Sequence, residues 1–115
     1  MEKLLPGVYA LFRGEKIVYI GESNNIYRRI SEHTYGRGKT APPKDFDRWE
    51  YVRIENDYRR KELERALISF FDPLYNMTWR LGGNITREDK KVIAREAKSC
   101  LWLLASVKAK NETVC

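Results

Sequence analysis

Two short strings constrain the start of any fold this chain can adopt. Gly7-Val8-Tyr9 and Tyr19-Ile20-Gly21 each place a tyrosine near a glycine, and Arg13-Gly14-Glu15-Lys16 between them reads as a turn. The flanking runs, Val8 to Phe12 and Ile17 to Ile20, are apolar and β-prone. A β-hairpin follows, with room for a bulge at the turn. Strand alternation puts Tyr9 and Leu11 on one face and Val8, Ala10 and Phe12 on the other. Pairing then brings two phenols side by side with little bulk around them. Such a pair is ambiguous alone, because tyrosines on paired strands also pack purely structurally.

The rest of the chain supplies the context. Ser23-Asn24-Asn25 is a run of N-cap residues, so a helix is expected from about Asn25 to His33. Ile26 and Ile30 form its apolar edge, while Asn25, Arg29 and His33 form a polar stripe. Thr34 to Lys44 is a Gly/Pro loop carrying Arg37, Lys39 and Lys44. Trp49, Tyr51 and Arg53 alternate with Glu50, Val52 and Ile54, which predicts a third strand. Asn56-Asp57 caps a helix from about Tyr58 to Phe71, with Leu63, Ala66, Leu67 and Phe70 as its apolar face and Pro73 beyond its end. Thr86 and Asp89 resemble a capping box for a helix from Arg87 to about Lys98. Whether Leu101 to Val107 continues that helix is open at this level. The order β-β-α-β-α-α predicts a small α+β domain with a three-stranded, mainly antiparallel sheet flanked by helices.

Bulk properties narrow the class. A chain of 115 residues suits one domain with a modest core. No apolar stretch approaches the ~20 residues of a membrane span, and Met1 to Pro6 lacks a signal-peptide core, so a cytoplasmic protein without membrane contact is expected. Cys100 and Cys115 form no zinc-ligand pattern. The net charge of +6 favours a polyanionic partner, most commonly nucleic acid.

Five blocks in order then resemble the GIY-YIG nuclease domain. They are Pro6-Gly7-Val8-Tyr9; Val18-Tyr19-Ile20-Gly21-Glu22-Ser23; Asn25-Ile26-Tyr27-Arg28-Arg29-Ile30; Glu62-Leu63-Glu64-Arg65-Ala66-Leu67-Ile68; and Asp72-Pro73-Leu74-Tyr75-Asn76. The strings are most similar to the N-terminal nuclease domain of the nucleotide-excision-repair endonuclease. The resemblance spans residues 6–77, leaving 78–115 as a C-terminal helical extension packed on the same domain.

The resemblance implies a metal-dependent endonuclease that hydrolyses DNA phosphodiester bonds with Mg2+ or Mn2+. It implies that Tyr9 and Tyr19 handle the attacking water, Arg29 clamps the scissile phosphate, His33 assists, Glu64 ligates the metal and Asn76 supports the site. The chemistry suits these types. Magnesium accepts a single protein carboxylate because it keeps several waters, and a guanidinium forks onto phosphate oxygens. Each residue also has a plainer use: Arg29 as a solvated helix residue, Glu64 paired with Arg60 at i, i+4, Asn76 in a turn. Glu62 should point away from Glu64. Glu22 departs from the resemblance, which implies lysine there; it is expected to be structural, to pair with Arg29, or to act as a further acid near the metal. Arg28, Arg37, Lys39, Lys44 and Arg60 are expected to contact DNA, with a plain solvated loop as the alternative for the middle three. A monomer or homodimer is expected, alone or recruited by a larger assembly. The alternative function is a non-catalytic nucleic-acid-binding module on the same fold.

Overall fold

A computed structural model describes residues 4–36, 45–76 and 85–113, with side chains described as far as Lys108. The hairpin forms from β1 (Gly7–Arg13) and β2 (Lys16–Ser23), with the register shift between Leu11 and Phe12. Helix α1 (Ile26–Tyr35) follows, then β3 (Arg48–Arg53), α2 (Asp57–Phe71), α3 (Arg87–Ala97) and α4 (Leu101–Thr113). The sheet order is β2-β1-β3, antiparallel throughout.

The central position of β1 explains its composition. Both faces are covered, so six of its seven residues are buried. Val8, Ala10 and Phe12 join Leu63, Ala66 and Leu67 of α2 in one core, together with Val92 and Ile93 of α3 and Trp102 and Leu103 of α4. Tyr9 and Leu11 face the other way, into a smaller cluster with Leu5, Val18 and Ile26. The expected alternation of β1 therefore divides the molecule into two cores. Gly7 lets β3 come close: a Cβ there would lie 2.1 Å from the Val52 carbonyl oxygen.

The open question of the C-terminus resolves into two helices. The capping box at α3 is present, with Thr86 and Asp89 each accepting the other's backbone N–H. The Ser99 hydroxyl donates to the Glu96 carbonyl, a local bond that competes with continuation of the helix. Leu101–Thr113 restarts as α4, burying Trp102 and Leu103 and leaving Leu101 and Leu104 exposed. Among the described residues no helix is long and apolar enough to cross a membrane.

Candidate active site

The site is assembled from both strands of the hairpin and one helix on either side of the sheet. Register pairs Tyr9 with Gly21, and Tyr19 lies two residues before that glycine. The phenol of Tyr9 leans over Gly21. A Cβ at position 21 would lie 2.5 Å from Tyr9 Oη, 2.7 Å from Tyr9 Cζ and 3.0 Å from Tyr19 Cε1. The glycine is thus required by close approach. Gly21→Ala is expected to displace Tyr9 and to lower stability by about 1–3 kcal/mol. Denaturant melts of the variant beside wild type check it.

Helix α1 closes the opposite side. His33 is completely buried, and Tyr9 Oη stands 2.7 Å from its Nε2. The two phenol rings are 6.1 Å apart, and the Tyr19 ring is 4.7 Å from the imidazole. One turn before His33, Arg29 lies beside both phenols and lowers their pKa values. Burial outweighs that effect and raises both. For Tyr9 the neighbouring Tyr19 adds to the rise, so this phenol stays protonated at any physiological pH. Tyr9 alone is therefore a poor base, and its proximity to His33 matters more than its own acidity.

Glu64 reaches the site from α2. The Glu22 backbone N–H donates to Glu64 Oε2 at 2.9 Å. Among the described residues Oε1 has no hydrogen-bond partner. Burial first, and the charge of Glu22 second, push the Glu64 carboxyl up to about 7, while that N–H, Arg29 and Lys61 pull it down. A half-buried carboxylate with one oxygen open fits a hydrated divalent cation. Among the described residues no group of three His, Cys, Asp or Glu side chains could form an all-protein cage. Any ion held here would keep most of its waters.

Asn76 acts on the backbone. Its Oδ1 accepts from the Ile20 N–H and its Nδ2 donates to the Ile20 carbonyl, both at 2.8 Å. Ile20 separates Tyr19 from Gly21, so this two-way clasp on an edge strand fixes the residues that carry the phenols. The adjacent Tyr75 N–H reinforces it by donating to the Val18 carbonyl at 2.8 Å.

Three expectations are settled by charge pairing. Arg29 pairs with Glu32 at 2.9 Å, one helical turn on, rather than with Glu22. Glu62 does face away, accepting from Arg95 of α3 at 2.8 Å. Arg60 is corrected as a DNA contact. It is 4% exposed, and its guanidinium donates to Glu22 Oε2 at 3.0 Å, to Asp57 and to the carbonyls of Ile54 and Glu55. It holds Glu22 in place rather than meeting a phosphate, and it does not pair with Glu64 as i, i+4 spacing allows. Arg60→Ala is expected to cost about 3 kcal/mol by stranding Glu22, while leaving the salt dependence of DNA affinity unchanged. Denaturation and a salt titration read the two effects separately. Arg28 is exposed beside the cleft, near Arg29, Asn24 and Lys61. Arg37, Lys39 and Lys44 lie outside the described residues. Two contributors were missed from sequence: Glu32, whose i, i+3 spacing from Arg29 was a usable signal, and Lys61, one turn before Glu64.

Comparison with known proteins agrees with this architecture. A family model described as the GIY-YIG catalytic domain matches residues 5–76. UvrABC system protein C from Aquifex aeolicus is 32% identical over 82 residues, covering 68% of this chain and 14% of that protein. The same-named protein from Deinococcus radiodurans is 34% identical over 73 residues, covering 63% of this chain and 12% of its own length. The chain thus spans about one seventh or less of these curated relatives. Among solved structures, the GIY-YIG N-terminal endonuclease domain of UvrC from Thermotoga maritima, bound to magnesium as its catalytic divalent cation, superimposes with a TM-score of 0.53. It is 24% identical, with 62% of this chain and 82% of that one covered, so the likeness concerns the fold.

Proposed function

The chain belongs to the GIY-YIG catalytic-domain family, and from that premise we propose that its cleft hydrolyses DNA phosphodiester bonds with Mg2+ or Mn2+ held at Glu64. The observation that carries this reading is the buried contact of Tyr9 with His33 at 2.7 Å, with Arg29 and Glu64 close enough to act on the same phenol. A structural tyrosine pair needs none of those neighbours.

The chemistry follows from the groups present. Arg29, steadied by Glu32, forks onto the non-bridging oxygens of the scissile phosphate and takes up charge as it grows. Tyr9 Oη and His33 Nε2 share a hydrogen bond at 2.7 Å; in the imidazole tautomer that leaves Nε2 unprotonated, Tyr9 donates and its oxygen can accept a proton from the attacking water. As that proton arrives, the phenol proton passes to the imidazole. Tyr19 forms the opposite wall and orients water and phosphate. A divalent cation, when bound at Glu64, supplies charge neutralisation at the phosphoryl oxygens and acidifies water. Glu22 serves through its backbone N–H, which aims the Glu64 carboxylate, and its own side chain is held by Arg60.

Arg28, with Arg37, Lys39 and Lys44, would extend the grip on the DNA backbone. The described part of the C-terminal extension, α3 and α4, contributes Val92, Ile93, Trp102 and Leu103 to the same core. The same reading takes the nuclease as cytoplasmic and as a monomer or homodimer, alone or recruited by a larger assembly. A panel of linear, nicked and branched DNA, with RNA counterparts, tests the reading. Cleavage of DNA in Mg2+ or Mn2+ but not in EDTA supports it. Salt-sensitive binding without cleavage in either metal would establish the non-catalytic module instead.

A further inference from the structure

The face of the sheet that carries Tyr9 has a second half. In β3 the residues Trp49, Tyr51 and Arg53 lie opposite Leu11, Tyr9 and Gly7, which places all three on the Tyr9 face. Helix α1 crosses this face. Arg29 and His33 attend the phenols, while Tyr27, two residues before Arg29, turns to the other side and meets Trp49. The Tyr27 and Trp49 rings stand 6.1 Å apart at 90°, and Trp49 and Tyr51 are 5.7 Å apart at 36°. Trp49 is the half-buried base of the cluster, whereas Tyr27 is 57% exposed and Tyr51 42%.

Arg53, two residues after Tyr51 and on the same face, links this cluster to the cleft. It lines a depression of about 740 Å³ together with Leu4, Pro6, Asn24 and Glu55. A second, of about 600 Å³, is lined by Asn24, Arg28, Arg29 and Lys61. Asn24, Asp57 and Arg60 border both, so one trough runs from Arg29 past Asn24 as far as Arg53. Among the described residues Arg53 pairs with exposed Glu55, at 3.1 Å, and such surface pairs yield readily to a phosphate.

We propose that Tyr27 and Tyr51 form a stacking platform for unpaired bases, so that the preferred substrate carries a single-stranded arm next to the cleaved bond. The proposal rests on the nuclease reading and names its substrate class. Aromatic faces with a cation beside them match the two halves of an unpaired nucleotide, base and phosphate. A duplex keeps its base faces stacked internally and offers nothing to these rings. An aliphatic patch would fit a protein partner equally well; here both exposed members are phenols, and Arg53 stands two residues from Tyr51 on the same face.

The test is binding in EDTA to hairpin DNA that ends blunt or carries a short arm containing 2-aminopurine, whose fluorescence is quenched by stacking. The armed DNA is expected to bind the wild-type chain more tightly than the blunt one, with quenching. Tyr51→Ala should remove most of the difference, a loss of roughly tenfold in affinity. Tyr51→Phe, which keeps the ring, should retain it. Tyr27→Ala should weaken it in the same direction. Equal affinity for both DNAs, or a preference untouched by Tyr51→Ala, overturns the proposal. If metal-dependent cleavage of blunt duplex persists in that case, the nuclease reading stands without it. Absence of both binding and cleavage overturns both.

Discussion

Replacing Glu64 by glutamine is expected to lower DNA cleavage by roughly 10³-fold, a loss typical of removing a preorganised electrostatic contributor. The substitution is nearly isosteric, and the amide oxygen can still accept the Glu22 N–H that now bonds Oε2 at 2.9 Å. The loss would therefore trace to the missing charge. Stability supplies an independent readout. Burial, then Glu22, raises the Glu64 carboxyl from 4.5 to about 7. Between those values the folded protein binds a proton that the unfolded chain has released, so metal-free stability falls as pH rises through this window, by at most about 3 kcal/mol. Glu64→Gln should flatten that slope and leave the variant at least as stable as wild type at pH 8. A cation competes with the same proton. Its affinity should rise about tenfold per pH unit below about 7 and level off above it. Calorimetric titration with Mg2+ in two buffers of different ionisation heat would reveal the released proton, and Glu64→Gln should abolish it.

Tyr9→Phe is the second large effect. Removing one hydroxyl takes away the partner that stands 2.7 Å from His33 Nε2 and leaves that nitrogen buried. The cost should be about 1–3 kcal/mol in stability, seen as a melting temperature several degrees lower. Activity should fall further, by roughly 10²–10⁴-fold, because the path from water to imidazole runs through that oxygen. KM should change little, since Arg29 and the outer basic residues are untouched. The same oxygen in a merely structural role predicts the stability loss with an activity loss no larger than the unfolded fraction explains. Tyr19→Phe gives the contrast. Tyr19 is only half-buried, and its expected loss is smaller on both counts.

Some of this was legible in the chain and some was not. The hairpin, its face alternation and the glycine beside the phenols follow from local rules with period two, and they survive in the fold with only the expected bulge. The polar stripe Arg29–His33 was readable as spacing, but not the full burial of His33, which depends on α1 lying over a strand 24 residues earlier. Arg60 shows where local reading fails. At the start of a basic helix it resembles a solvated cation, yet Glu22, 38 residues away, and two carbonyls of the preceding turn draw it inward. The same contact gives Glu22 a partner that no local spacing could supply. The break between α3 and α4 was equally hidden, because it is made by Ser99 hydrogen bonding and by the core's demand for Trp102 and Leu103 rather than by glycine or proline.

The most direct test of the central claim is nicking of supercoiled plasmid by the purified chain, with wild type and Glu64→Gln side by side in Mg2+, in Mn2+ and in EDTA. The account predicts nicked and linear plasmid from wild type in either metal, restored when metal is added back after EDTA, and intact plasmid from Glu64→Gln throughout. Cleavage by wild type in EDTA, or metal-dependent cleavage by Glu64→Gln at the wild-type rate, would contradict it.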